Sequence, residues 1–217
     1  MLVKGFVAAC AVVLPFAAFG QVVWDQEPGT DGFGIFSDGI STNGSQFYQT
    51  ATADNFSLSS AAKITDVEFW GGSEDFEFAD LTNFQAFDIY VYDSNFNAVY
   101  STQVSTASLN PVNTGTLNSS NNGGEIFSFN LSTSINLSAG NYFLHVGSIN
   151  VDPNGDAFIW DDSATGDGSY AFNYFDGNGW QIISGGDLAF KLTAAPEPAS
   201  LSLLALGGLA LIRRRRA

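Results

Sequence analysis

A single histidine, His145, and a single cysteine, Cys10, bound the chemistry open to this chain of 217 residues. A Ser-His-Asp or Cys-His centre would have to use His145, and no Gly-x-Ser-x-Gly elbow is present to carry a nucleophile. His145 lies in Tyr142-Phe143-Leu144-His145-Val146 and alternates with Leu144 and Val146, the placement of a structural histidine in a sheet. Zinc is disfavoured on the same ground, because the ligands left are mostly carboxylates, which suit hard cations. Asp152, Asn154 and Asp156, followed by Asp161, Asp162 and Asp167, concentrate oxygen donors among turn residues, the supply a calcium ion needs for its 6–8 ligands. Asp93-Ser94-Asn95-Phe96-Asn97 begins like an EF-hand loop but lacks its glycine and terminal glutamate, so a hairpin turn is expected there. Glu68, Glu74, Asp75, Glu77 and Asp80 gather around Trp70 and could supply a glycosidase pair, although any acidic loop has this composition. Trp24, Trp70, Trp160, Trp180 and Tyr174 have flat apolar faces that could stack on sugar rings. Most are expected in the core. Trp160, beside Asp161-Asp162, and Trp180, after the Gly177-Asn178-Gly179 turn, are expected nearest a rim.

The elements that would position these groups read as β-strands. Between residues 21 and 195 no helical period of 3.6 stands out, and period-two runs are punctuated by Gly, Asn, Asp and Ser. Phe87, Ile89 and Val91 alternate with Asp88, Tyr90 and Tyr92; Phe127, Phe129 and Leu131 alternate with Ser128 and Asn130. Further strands are predicted over 52–58, 64–70, 98–104, 142–149, 157–160, 170–175, 180–183 and 188–192. Turn signals separate them, among them Ser94-Asn95, Ala139-Gly140, Asn154-Gly155 and Gly185-Gly186. About ten short strands with such turns predict an all-β domain, a two-sheet antiparallel β-sandwich of jelly-roll type.

This region is one domain in length and strongly acidic, with 21 acidic residues against Lys63 and Lys191, a formal charge of −19. Such a field repels nucleic acid and anionic membrane surfaces and favours cations or neutral partners. Seventeen Phe, four Trp and seven Tyr supply enough apolar area for a folded core.

The termini read as addresses. Lys4 followed by the apolar run Gly5 to Phe19, with small residues at Ala18 and Gly20, predicts a Sec signal peptide over 1–20, removed by signal peptidase together with Cys10. At the other end, Pro196-Glu197-Pro198 precedes the fourteen residues Ala199 to Ile212 and then Arg213, Arg214, Arg215 and Arg216. Fourteen residues fall short of the roughly 20 that a spanning helix wants, so the predicted transmembrane helix is a marginal anchor. The arginines would hold its end in the cytoplasm, giving an N-out, C-in topology. The two prolines keep the strip before it extended and open to a protease.

Pro196-Glu197-Pro198, Ser200-Leu201, Leu203-Leu204-Ala205-Leu206-Gly207-Gly208 and the arginine cluster together resemble the PEP-CTERM sorting signal. The resemblance covers roughly a tenth of the chain. It implies a Gram-negative bacterium whose exosortase, a membrane-embedded cysteine transpeptidase-like enzyme, processes the tail near Pro196-Glu197-Pro198 and releases the protein outside or re-attaches it. Ala53 to Leu58, Ile64 to Gly71 and Leu137 to Leu144 also resemble β-sandwich domains of exported bacterial proteins with this tail, and in arrangement the carbohydrate-binding-module type. The function expected on these grounds is a non-enzymatic cell-surface or exopolysaccharide-matrix protein. The alternative is a carbohydrate-binding protein using exposed aromatics with calcium assistance; a glycoside hydrolase or an ice-binding protein ranks below both.

Overall fold

The computed structural model describes residues 20–29, 34–37, 39, 50–73, 81–117, 125–151, 158–175 and 177–196. They form fourteen strands: β1 Gln21–Gln26, β2 Gly34–Phe36, β3 Ala51–Leu58, β4 Ala62–Ser73, β5 Phe84–Asp93, β6 Ala98–Ser105, β7 Val112–Leu117, β8 Glu125–Leu137, β9 Gly140–Asn150, β10 Phe158–Ser163, β11 Ser169–Asn173, β12 Gln181–Ser184, β13 Asp187–Leu188 and β14 Phe190–Ala194. Leu81–Asn83 and Thr106–Leu109 are short 3-10 turns. Among the described residues no helix is long and apolar enough to cross a membrane, and the run 199–212 lies outside them.

The strands make two antiparallel sheets. In the first, β4 is central, with β8 and then β7 on one side and β14 and then β1 on the other; β10 joins the far end of β4 and carries β13 and β2. The second runs β12-β11-β3-β9-β5-β6. Period-two alternation turns Phe69, Phe129 and Phe158 of the first sheet toward Phe84 and Phe87 of the second. Phe87 meets Phe158 edge-on at a centroid distance of 4.9 Å, and Phe69 stacks on Phe129 at 5.0 Å. All five rings are buried in one cluster with Phe56, Ile64, Ile89, Leu144, Phe190 and others. Edge-to-face pairs of this kind add about 0.5–1.5 kcal/mol each beyond the area they bury.

Ser37 ties the sheets at one end. After β2 leaves β10, Ser37 Oγ donates to Val146 O at 2.6 Å and accepts from Thr52 N, lodging the segment between β3 and β9. Ala189 separates β13, which pairs with β10, from β14, which pairs with β4, so the predicted single strand 188–192 is two. Ala189 N donates to Asp161 O, while Ala189 O accepts from Trp70 N and from Trp160 Nε1. At Ala189 the chain changes partner: its N–H still serves β10, the neighbour of β13, and its carbonyl already serves β4, the neighbour of β14. β1, β2 and β7 were not among the predicted strands: β1 sits at the predicted cleavage point, β2 has only three residues, and β7 is the polar sequence VNTGTL at an edge. Gly71 is required by close approach, since a Cβ there would strike Ile159 O and the Phe158 ring.

Candidate functional site

Trp160 does not reach a rim. It is 0% exposed, its ring packs edge-on to Phe190, and its indole donates to Ala189 O at 2.8 Å. The acidic pair Asp161-Asp162 after it reads as loop, yet both residues belong to β10, and β10 is held by β2, β4 and β13. That pairing draws Trp160 into the core. Asp161 is buried, Asp162 half-buried, and Asp167 lies in the turn before β11. Asp161, Asp162 and Asp167 are not brought together to hold a metal ion, and the same is true of every His, Cys, Asp and Glu group among the described residues. Asp152, Asn154 and Asp156 lie outside the described residues, as do Glu74, Asp75, Glu77 and Asp80.

His145 is fully buried on the outer side of the second sheet, with Trp180 edge-on to it at 6.0 Å. Its Nδ1 lies 2.7 Å from Thr52 O, an acceptor only, so Nδ1 carries the proton and donates. Burial pulls its pKa down to about 4, and the imidazole is neutral at physiological pH. Trp180 is half-buried. It stacks on Phe96 at 5.3 Å, Phe96 stacks on Phe143 at 4.5 Å, and Tyr92 closes the group. Phe96 reaches this position from the β5–β6 hairpin, where it adopts a φ of 59°. The hairpin is the one expected: Asp93 Oδ1 accepts from the backbone N–H groups of Asn95 and Asn97, and the Asn97 amide holds the Asp93 carboxyl below its ordinary range.

The polar side chains converge elsewhere, in the turn between β10 and β11. Asp187 accepts Asp167 N at 2.9 Å and Gly168 N at 2.9 Å. Asp167 in turn accepts Ser169 Oγ and Ser169 N on Oδ1, and Asn55 Nδ2 on Oδ2 at 2.9 Å. The Ser169 hydroxyl, followed by Asn55, holds the Asp167 carboxyl below its ordinary range, so it is an anion. Gly166 has a φ of 151°, and a Cβ on it would overlap the Asp187 carboxylate and the Gln26 amide. The neighbouring Asp54 is buried in β3 and accepts Leu188 N at 2.7 Å and Asn55 N at 2.8 Å. These bonds fasten the turn to both sheets.

An open groove of about 520 Å³ runs beside this turn, where edge strand β1 passes β3. Its walls include Val22, Trp24, Gln26, Asn55, Gly166 and Asp167. The Trp24 ring lies on Phe190 at 6.5 Å and near Phe56 at 6.4 Å, which fixes its inner side against the core. Its Nε1 donates to Gln26 Oε1 at 2.6 Å, and Gln26 Nε2 donates to Thr165 O. Lys191 is directed to Asp25 at 3.7 Å and to Glu27 at 3.4 Å, with its ammonium 5.4 Å from the Trp70 ring. In the sequence, Trp24 was one tryptophan among four, and nothing distinguished Asn55 or Gln26. The available signal was Trp24-Asp25-Gln26 itself, an aromatic between polar residues in a short alternating run.

The final strand ends at Ala194, after which Ala195 N donates to Lys63 O at 2.8 Å. Pro196 has no N–H to continue the ladder. Residues 194–216 match the PEP-CTERM protein-sorting motif. The PEP-CTERM motif marks the chain for export, exosortase processing and targeting to the bacterial cell surface. It covers the sorting segment and leaves the β-sheet unit, Gly20–Ala195, without an assigned activity. No curated protein matches the chain.

Proposed function

We propose that the protein is a non-enzymatic component of the cell surface or exopolysaccharide matrix of a Gram-negative bacterium. It would leave the cytoplasm through the Sec machinery, lose residues 1–20 to signal peptidase, and pause in the inner membrane on the helix 199–212. Exosortase would then act at Pro196-Glu197-Pro198 and free or re-attach the sandwich, here read as a jelly-roll variant. The PEP-CTERM motif at 194–216 carries this reading. The non-enzymatic part is supported by His145, the only histidine of the chain, which is neutral, buried and bonded to a backbone carbonyl, and so is unsuited to proton transfer with a substrate. The acidic surface favours solubility and a neutral matrix partner.

The test is cellular. Removing residues 196–217, or replacing Pro196-Glu197-Pro198 by alanines, should shift the protein between membrane, periplasmic and extracellular fractions, with the alanine variant accumulating as the unprocessed, membrane-held form. Fractionation and mass unchanged in both variants would contradict the reading.

A further inference from the structure

We propose that the groove between β1 and the β10–β11 turn is a binding site for a neutral glycan segment, with Trp24 as its apolar platform, Asn55 and Asp167 as its hydrogen-bonding wall, and the buried Gln26 amide holding the Trp24 indole in place. This deepens the matrix reading by naming the surface through which the domain would hold polysaccharide. At about 520 Å³ the groove falls within the roughly 300–1,000 Å³ of small-ligand sites. An indole beside a carboxamide and a carboxylate is the pairing a hydroxylated ring requires: C–H faces pack on the aromatic, and adjacent hydroxyls donate to a carboxylate while accepting from an amide.

The donors and acceptors remain sufficient after the internal bonds are counted. An amide NH₂ has two protons, and Asn55 commits one of its two, to Asp167. A carboxylate accepts about four bonds, and Asp167 receives three. These groups are also held in place beforehand. Trp24 is seated on Phe190 and Phe56, Gln26 is 2% exposed and bonded at both ends of its amide, and Asp167 is locked by Ser169 and Asn55. Such preorganisation lowers the entropy lost on binding. Charge decides the ligand class: in a domain of −19, the groove walls carry Asp25 and Asp167 and no Lys or Arg, and nearby Lys191 is turned to Asp25 and Glu27, an arrangement that disfavours a uronic acid or a phosphate.

The purified full chain would be titrated with cellohexaose, laminarihexaose, mannohexaose and chitohexaose, with polygalacturonate oligomers as the acidic control, followed by calorimetry and tryptophan fluorescence. At least one neutral hexasaccharide should bind with a Kd in the range of about 10 μM to 1 mM, and the acidic control should not bind. Asn55→Ala and Asp167→Asn should each weaken that binding about tenfold, the loss expected for one hydrogen bond to a charged or tightly held group. Trp24→Ala risks misfolding because the ring supports Phe56 and Phe190, so thermal midpoints of the two polar variants serve as the folding control. Absence of binding by all four neutral probes would overturn the proposal. So would binding left unchanged by both polar variants, or binding lost in Trp180→Ala alone, which would place the site on the outer aromatic stack. Localisation measured in tail variants reports the sorting reading separately, so either can fail without the other.

Discussion

Asp54 should make the protein lose stability between pH 6.5 and 8, a window in which most proteins change little. Its side chain is 0% exposed, and burial pushes its pKa up to about 8 from 3.8. The N–H groups of Leu188 and Asn55 oppose that rise, and the charges of Asp187 and Asp167 add to it. A carboxyl whose folded pKa is raised stabilises fully below the unfolded value, and this contribution is lost as pH climbs toward 8, because the unfolded chain releases the proton that the folded chain retains. His145 works the other way. Lowered from 6.5 to about 4, it makes stability rise with pH between those values. Each slope is at most about 1.4 kcal/mol per pH unit, so from pH 4 to 6.5 they nearly cancel, and above 6.5 the Asp54 loss outweighs a residual His145 gain of about 0.4 kcal/mol. Integrated from 6.5 to 8, the Asp54 loss is about 1.5 kcal/mol. Asp93 and Asp167, with lowered values, act below the ordinary carboxylate range, and Tyr90, Tyr92 and Tyr170, with raised values, act above pH 10, so none contributes in this window.

Urea unfolding at pH 6.5, 7.25 and 8, followed by tryptophan emission, measures the slope, with buried Trp160 as an internal reporter. Asp54→Asn removes the ionisation. It presents one oxygen in place of two to the Leu188 and Asn55 N–H groups, and so should cost about 1–3 kcal/mol at pH 6.5. Its stability should then be level to pH 8 within the His145 gain of about 0.4 kcal/mol. A wild-type protein as level as Asp54→Asn would refute the argument and would mean that two backbone donors suffice to keep this carboxylate ionised inside the sandwich.

Two further expectations concern packing. Phe158→Ala removes the ring that meets Phe69, Phe84, Phe87 and Phe129, and should cost about 3–5 kcal/mol by urea titration. Trp160→Phe removes the indole bond to Ala189 O and should cost about 1–3 kcal/mol while leaving glycan titrations unaltered; an altered titration would return Trp160 to a rim.

The period-two runs made β3, β5, β8 and β9 legible because their inner residues, such as Phe87, Ile89 and Val91, are buried while their neighbours face outward or pack beneath loops. Trp160 misled for the same reason. Its acidic neighbours Asp161 and Asp162 suggest a loop, whereas pairing of β10 with β2, β4 and β13 makes the segment interior. Such pairing depends on strands far away in sequence, and β2 is too short to announce itself.

The sorting tail and the groove differ in how the chain encodes them, and the difference has one physical origin. A sorting signal is read as a contiguous strip, so its proline pair, apolar run and arginines are visible in order. The groove is assembled from residues far apart in the chain: Asn55 reaches Asp167 across 112 positions and Gln26 reaches Thr165 across 139. Neither pair has a local spacing that chemistry dictates. Only the sandwich, by setting edge strand β1 against the β10–β11 turn, gives the Trp24 ring, the Asn55 amide and the Asp167 carboxylate a common opening, and Gly166 lets the turn close over the Gln26 amide and the Asp187 carboxylate, where any Cβ would collide. Long-range strand pairing therefore does for the candidate site what primary sequence does for the address.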